Sequence, residues 1–263
     1  MLENINLKKK LSREEYKQVL PDLQRRLYEL EEACWHQGVP SVVIFEGWDA
    51  AGKGTAIATL TQRLDPRGFK LYPIVPARTY EQQRPWLWRF WLRVPNRGEM
   101  VLFDHSWYGR VLEERVEGTI PEKAWRQAYR DIQEFERMLA DDGTVILKLF
   151  FHISKKEQKE RFEKMEADPL EAWRVTKEDW ARHKKYDEYL AASEEMLEMT
   201  DSEYAPWAVV EATSKYYARK KLFETIITAM EKHLGANIPT RTNSKKDDSD
   251  LRAAMESLGG GRF

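Results

Sequence analysis

Ser41-Val42-Val43-Ile44-Phe45-Glu46-Gly47-Trp48-Asp49-Ala50-Ala51-Gly52-Lys53-Gly54-Thr55 is the stretch from which the fold follows. Val42 to Phe45 form a short apolar run rich in β-branched residues, which reads as a buried strand. Gly47 and Gly52 bracket a turn that leads straight into Lys53, and Ile57, Leu60, Thr61 and Leu64 then follow at helical spacing. Strand, Gly-x-x-x-x-Gly-Lys and helix is the pattern of a phosphate-binding P-loop. Glycine is needed where the backbone turns with unusual dihedrals and must approach a phosphate closely. The loop then offers amides and a helix N-terminus to an anion, and Lys53 adds a point charge. The phosphate-binding candidates are Gly47, Ala50, Ala51, Gly52, Lys53, Gly54 and Thr55. A glycine-rich strand-to-helix turn without a ligand is the competing reading.

Working outward, 263 residues suit one α/β domain with a substantial core. Charged residues at 33% and hydrophobic ones at 42% give a soluble globular balance. The net charge of −1 gives no reason to expect nucleic acid as a partner. Residues 63–115 nevertheless hold ten Lys/Arg against six Asp/Glu, a local basic excess. Cys34 is the sole cysteine, so no disulfide forms within the chain, and a reducing cytoplasm is expected. No signal-peptide core and no membrane-spanning apolar run are seen.

Before the loop, Ser12 and Glu15 form a capping box for a helix over 12–37, with Pro21 as a kink or split point. After it, Phe69 to Val75 reads as a second strand. Thr79 to Arg93 reads as an amphipathic helix burying tryptophans, with Arg84, Arg89 and Arg93 available to line an anion groove. Met100 to Asp104 is a third strand, 144–153 a fourth and 207–211 a fifth. Helices are expected over 121–141, 155–167, 177–199 and 214–234, and His183 reads as a surface histidine. The composition shift at Ala236 suggests a disordered tail over 236–263, with one short helix at 249–258. Strands alternating with helices predict a five-stranded parallel sheet covered on both faces, a P-loop kinase-like three-layer α/β sandwich over 1–235.

Ligands of such sheets sit beyond the carboxyl ends of the strands. There Asp104 ends a strand, where P-loop enzymes hold Mg²⁺ on a Walker B carboxylate; a helix N-cap is the alternative. Asp49 is unusual, because an acid inside a phosphate loop repels the anion. It makes sense with a cation between them or as an acid–base group toward an acceptor, the alternative being an Asx turn. Asp49 and Asp104 are thus the metal candidates, for Mg²⁺ or Mn²⁺. Arg110, Arg115 and Arg161 are candidates to neutralise charge on a transferring phosphoryl group.

Several separated motifs resemble the polyphosphate kinase 2 family. They are Gly47-Trp-Asp-Ala-Ala-Gly-Lys-Gly54, Phe103-Asp-His-Ser-Trp-Tyr-Gly-Arg110, Glu114-Arg115-Val116, Glu157-Gln158 with Arg161-Phe162, Ala205-Pro206-Trp207 and Ala218-Arg219. The resemblance covers about residues 10–234. It implies phosphoryl transfer between inorganic polyphosphate and a nucleoside mono- or diphosphate, Mg²⁺-dependent and reversible. It also implies an adenine or guanine nucleotide acceptor, a dimer or tetramer, and a helical lid over about 111–141. Asp49, Lys53, Asp104, Arg110, Glu114, Arg115 and Arg161 fall on functional positions by that resemblance. The run from Gly109 to Gly118 looks most like members acting on AMP. Two departures stand out. His105, a further phosphate-contact candidate, replaces the family's usual arginine and lacks a fixed charge near neutral pH. Thr55 stands where glycine is frequent, and Gly-Lys-Gly-Thr looks closer to nucleoside monophosphate kinases. An ATP-dependent mononucleotide kinase and a non-catalytic polyphosphate or nucleotide binder are the alternatives.

Overall fold

A computed structural model describes residues 2–235. The tail expected over 236–263 lies outside the described residues. In chain order the elements are α1 (Arg13–Gln37), β1 (Ser41–Gly47), α2 (Lys53–Thr61), β2 (Phe69–Pro73), α3 (Thr79–Gln82), α4 (Trp88–Trp91), β3 (Met100–Asp104) and α5 (Glu113–Val116). Then come α6 (Glu122–Asp141), β4 (Val145–His152), α7 (Lys155–Glu166), α8 (Lys177–Lys184), α9 (Tyr186–Thr200), β5 (Trp207–Glu211) and α10 (Lys215–Leu234).

The five strands form one parallel sheet in the order β2-β3-β1-β4-β5. β1 lies in the middle, and its first six residues are buried, as are all eight of β4. That continuous burial is why these strands are apolar runs rather than alternating ones. β2, at one edge, is half exposed. α1 lies along α10, which also touches α2, β4 and β5. α6 packs with α9 and β4, burying Ala128, Tyr129, Ile132, Phe135 and Leu139. Helices therefore cover both faces of the sheet, as the alternating pattern predicts.

Three local expectations are corrected. α1 runs unbroken through Pro21, because Pro21 and Lys17 face solvent, where water can take the freed carbonyl. The helix expected over 79–93 is two single turns, α3 and α4, with Pro85 between them. Two of its three arginines turn inward: Arg89 and Arg93 both reach Glu81, and Arg89 also donates to the Val75 carbonyl, while Arg84 stays exposed over the Trp88 ring. The helix expected over 177–199 breaks at Lys185 into α8 and α9. At that break Tyr186 stacks on Trp48 of the loop at 3.9 Å and donates to the Ile153 carbonyl. Tertiary contact, not local propensity, sets the bend.

Candidate active site

The loop between β1 and α2 has the glycine requirements its sequence suggests. Gly47 has φ +120°, and a Cβ there would lie 2.2 Å from the Phe151 carbonyl oxygen, so only glycine fits beside β4. Ala50 takes a left-handed conformation without being glycine, and Gly52 does so at φ +96°. The loop is held by its carbonyls. Lys53 Nζ donates to Gly47 O at 2.7 Å and Trp48 O at 3.1 Å. Gln158 donates to Asp49 O, and Arg161 to Ala50 O. The Trp48 and Ala51 amides are spent on the Phe151 and Trp48 carbonyls, so what the loop can offer an anion is its remaining amides. Thr55 Oγ1 donates back to Gly52 O at 3.0 Å, locking the first turn of α2.

Trp48 is fastened from two sides. Besides the Tyr186 stack, its Nε1 donates to His152 Nδ1 at 2.9 Å. His152 is buried, which pushes its pKa down to about 4 and keeps it a neutral acceptor.

Asp49 Oδ2 accepts from Arg182 Nε of α8 at 2.7 Å. Burial raises the Asp49 pKa, but the charges of Lys53 and Arg182 outweigh it and hold the carboxyl below its usual range. Asp104 ends β3 on the strand adjacent to β1, in register with Phe45. The capping alternative for Asp104 is excluded: Ser106 Oγ caps the turn over 107–110 by accepting from Tyr108 N at 3.2 Å. The same Ser106 hydroxyl donates to Glu46 Oε1 at 2.7 Å.

His105 has φ +60°, a conformation in which histidine is enriched among non-glycine residues. Its Nδ1 lies 3.3 Å from Glu46 Oε2 and 3.6 Å from Glu113 Oε1. Burial and Lys53 depress the His105 pKa, and the two glutamates outweigh them, so the net shift is upward. A cavity of about 40 Å³ opens here, lined among others by Gly47, Asp49, His105, Glu113, Gln158, Arg182 and Tyr189.

Asp49, Lys53, Asp104 and His105 thus gather at the carboxyl ends of β1 and β3. The other candidates are engaged elsewhere, Arg161 alone of them touching the loop. Arg110 pairs with Glu114 and lies over the Trp86 ring. Arg115 lies 4.0 Å over the Trp125 ring, donating to Tyr129 and Glu195. Arg161 spends its guanidinium on Glu157 and on the carbonyls of Ala50, Ala212 and Thr213, bracing the loop against the exit of β5. His183 is half-buried, bonded to Gln158 Oε1 and packed on Phe162, rather than on the surface.

Sequence reading missed Arg182 and Glu46. Glu46 carried a signal, a lone acid inside an apolar strand. Arg182 carried none, since its role depends on the bend at Lys185.

A 2-3-1-4-5 parallel sheet with a lysine-bearing glycine loop after its central strand and an acid ending the neighbouring one defines an α/β protein of the P-loop kinase-like class. The polyphosphate kinase 2 family model matches residues 10–237, and the chain belongs to that family. It is 40% identical over 232 residues to a polyphosphate:AMP phosphotransferase of Pseudomonas syringae pv. tomato, covering 88% of this chain and 47% of that protein. The chain thus spans about half the length of that relative. It is 36% identical over 215 residues to an AMP/ADP-polyphosphate phosphotransferase of Meiothermus ruber, covering 81% and 80% of the two. The crystal structure of polyphosphate kinase 2 from Arthrobacter aurescens TC1 superposes with a TM-score of 0.86 at 29% identity, covering 97% of this chain and 93% of that one.

Proposed function

We propose that this protein transfers a phosphoryl group between inorganic polyphosphate and a nucleoside mono- or diphosphate, reversibly and with Mg²⁺, AMP being the first acceptor to test. The observation that carries the reading is the juxtaposition of the lysine-bearing loop, which holds Asp49, with Asp104 at the end of the strand adjacent to β1, in a chain whose relatives are named for this chemistry. Phosphoryl transfer asks a protein for positioning and electrostatics more than for covalent chemistry.

The donor set fits a hard divalent cation: two carboxylates at the carboxyl ends of neighbouring strands, Asp49 kept ionised by its neighbours. Mg²⁺, or Mn²⁺ in its place, would be held by Asp49 and Asp104 and would neutralise phosphate oxygens. The chain supplies the rest. Lys53 and the loop amides bind phosphate. Arg161 and Gln158 fix the loop's shape. Arg110 and Arg115 supply positive charge at the turn after β3, and Glu114 orients Arg110. The catalytic unit spans 1–235 and its working form is a cytoplasmic homodimer or tetramer; of the lid expected over 111–141, α6 is packed against α9 and β4, so the moving part would be the segment before it. No helix among the described residues is long and apolar enough to cross a membrane.

The test incubates the purified protein with Mg²⁺ and polyphosphate in parallel with AMP, ADP and GDP, and follows nucleotide products by chromatography. ADP from AMP is expected. Turnover only when ATP replaces polyphosphate as donor would overturn the reading.

A further inference from the structure

We propose that Glu46, His105 and Glu113 form a site for one divalent transition-metal ion (Mn²⁺, Co²⁺ or Zn²⁺), beside the Asp49/Asp104 pair and distinct from it. Glu46 stands in the central strand with no exposure to solvent. An ionised carboxylate there is costly unless its oxygens are met. Ser106 meets Oε1, while Oε2 has no hydrogen-bond partner. That oxygen points to His105 Nδ1 at 3.3 Å, and His105 Nδ1 lies 3.6 Å from Glu113 Oε1. Glu113 Oε2 is buried and also unpartnered. One ligand atom from each of the three residues lies within 4.8 Å of the others.

The spacing suits a metal better than a hydrogen bond. Metal–ligand bonds of 2.0–2.1 Å put tetrahedral ligand atoms about 3.4 Å apart and cis-octahedral ones about 3.0 Å apart. The observed separations fall at or slightly beyond those values. A divalent ion bound at these atoms would take the place of the proton that His105 Nδ1 otherwise holds between the two carboxylates. The backbone also commits His105 to this direction: its left-handed φ is fixed while its amide donates to the Phe45 carbonyl. One imidazole with two carboxylates favours Mn²⁺, Co²⁺ or Zn²⁺ over the all-oxygen shells of Mg²⁺ and Ca²⁺. The adjoining cavity, lined by His105 and Glu113, has room for water to complete the shell.

The proposal does not depend on the phosphotransfer reading, and its test uses neither nucleotide nor polyphosphate. The full chain, stripped with chelator, is titrated near neutral pH with Co²⁺, read by visible absorption, and with Mn²⁺, read calorimetrically. With about a hundredfold excess of Mg²⁺ present throughout to fill the Asp49/Asp104 pair, one equivalent of each ion is expected. His105→Asn, which tolerates the same backbone, and Glu113→Gln should each weaken binding about tenfold or more. Asp104→Asn should bind as the parent does. Should His105→Asn fail to fold, Glu113→Gln at its half-exposed position decides alone. Absence of stoichiometric binding, unchanged affinity in Glu113→Gln or in folded His105→Asn, or loss in Asp104→Asn would each overturn the proposal.

Discussion

Replacing Lys148 by methionine removes a fully buried charge at the centre of a closed network. The three donors of Lys148 Nζ reach Glu136 Oε2 at 2.8 Å, Tyr108 OH at 2.9 Å and Thr200 O at 2.7 Å. Glu136 Oε1 accepts from Trp107 Nε1 at 3.0 Å and Tyr108 OH at 2.7 Å. Neither side chain of the ion pair exceeds 1% exposure. Burial pushes the Lys148 pKa down and the Glu136 pKa up, so each charge persists through its partner. Methionine fills the same space but strands Glu136, which must stay buried as an unpaired charge or take up a proton, at a cost of about 3–5 kcal/mol. For a domain of this size that is a fall in Tm of roughly 10 °C. Glu136→Gln in the Lys148→Met background removes the stranded charge while its amide oxygen still accepts from Trp107 and Tyr108. The double variant should recover about 2 kcal/mol, a coupling far outside additivity. Urea unfolding monitored by tryptophan fluorescence measures all four corners of the cycle. A loss under about 1 kcal/mol for Lys148→Met, or strictly additive losses, would refute the reasoning. The network matters beyond stability, because Trp107 and Tyr108 directly follow Asp104, His105 and Ser106.

Three further outcomes are expected. His152 has a folded pKa of about 4 against 6.5 for the free group. Between those values the unfolded chain binds a proton that the folded one refuses. Stability is therefore full above about pH 6.5 and falls by about 3 kcal/mol in all as pH drops toward 4. His152→Gln, whose amide oxygen can take the Trp48 hydrogen bond, should flatten that slope in urea melts, and an unchanged slope would assign the effect elsewhere. Gly47→Ala should lose more than about 3 kcal/mol by the same melts, since its Cβ would meet the Phe151 backbone at 2.2 Å and its φ is +120°; an unaltered midpoint would contradict that close approach. Lys53→Ala and Asp104→Asn should each reduce phosphotransfer by at least about a hundredfold in the AMP assay, and activity surviving in either would mean the site is misplaced.

The architecture was legible because burial on both faces makes the interior strands predominantly apolar, with Glu46 and Lys148 as buried exceptions. Val42–Phe45, Val101–Phe103 and Val145–Phe151 announce themselves, and Gly47, Gly52 and Lys53 mark the loop between two of the elements. What was illegible depends on partners far along the chain. Arg182 reaches Asp49 across 133 residues, and Trp48 meets His152 across 104. Helical periodicity reads straight through Lys185, because the bend there comes from Tyr186 stacking on Trp48. Likewise Pro85 divides the tryptophan-rich stretch, where the pattern of apolar residues alone suggests continuity.

The arginines around the loop divide by what holding them costs to undo. Arg161 makes four hydrogen bonds, three of them to backbone carbonyls, so moving it would unpair Ala50, Ala212 and Thr213 together. It is fixed and can act on a phosphate only from where it stands. Arg182 holds Asp49 through a pair whose side chains keep about a quarter to a third of their exposure. Under the proposed function a divalent cation would compete with Arg182 for Asp49, and Arg182 would keep its second partner, Asp179. Arg110 pairs with Glu114 of α5, a half-exposed partner four residues on. The loop's shape is thus braced by Gln158 and Arg161, while the Asp49 carboxylate is held by its ion pair to Arg182. Lys53 and Arg182 keep Asp49 ionised, so that under the proposed function a cation would meet a carboxylate inside the loop.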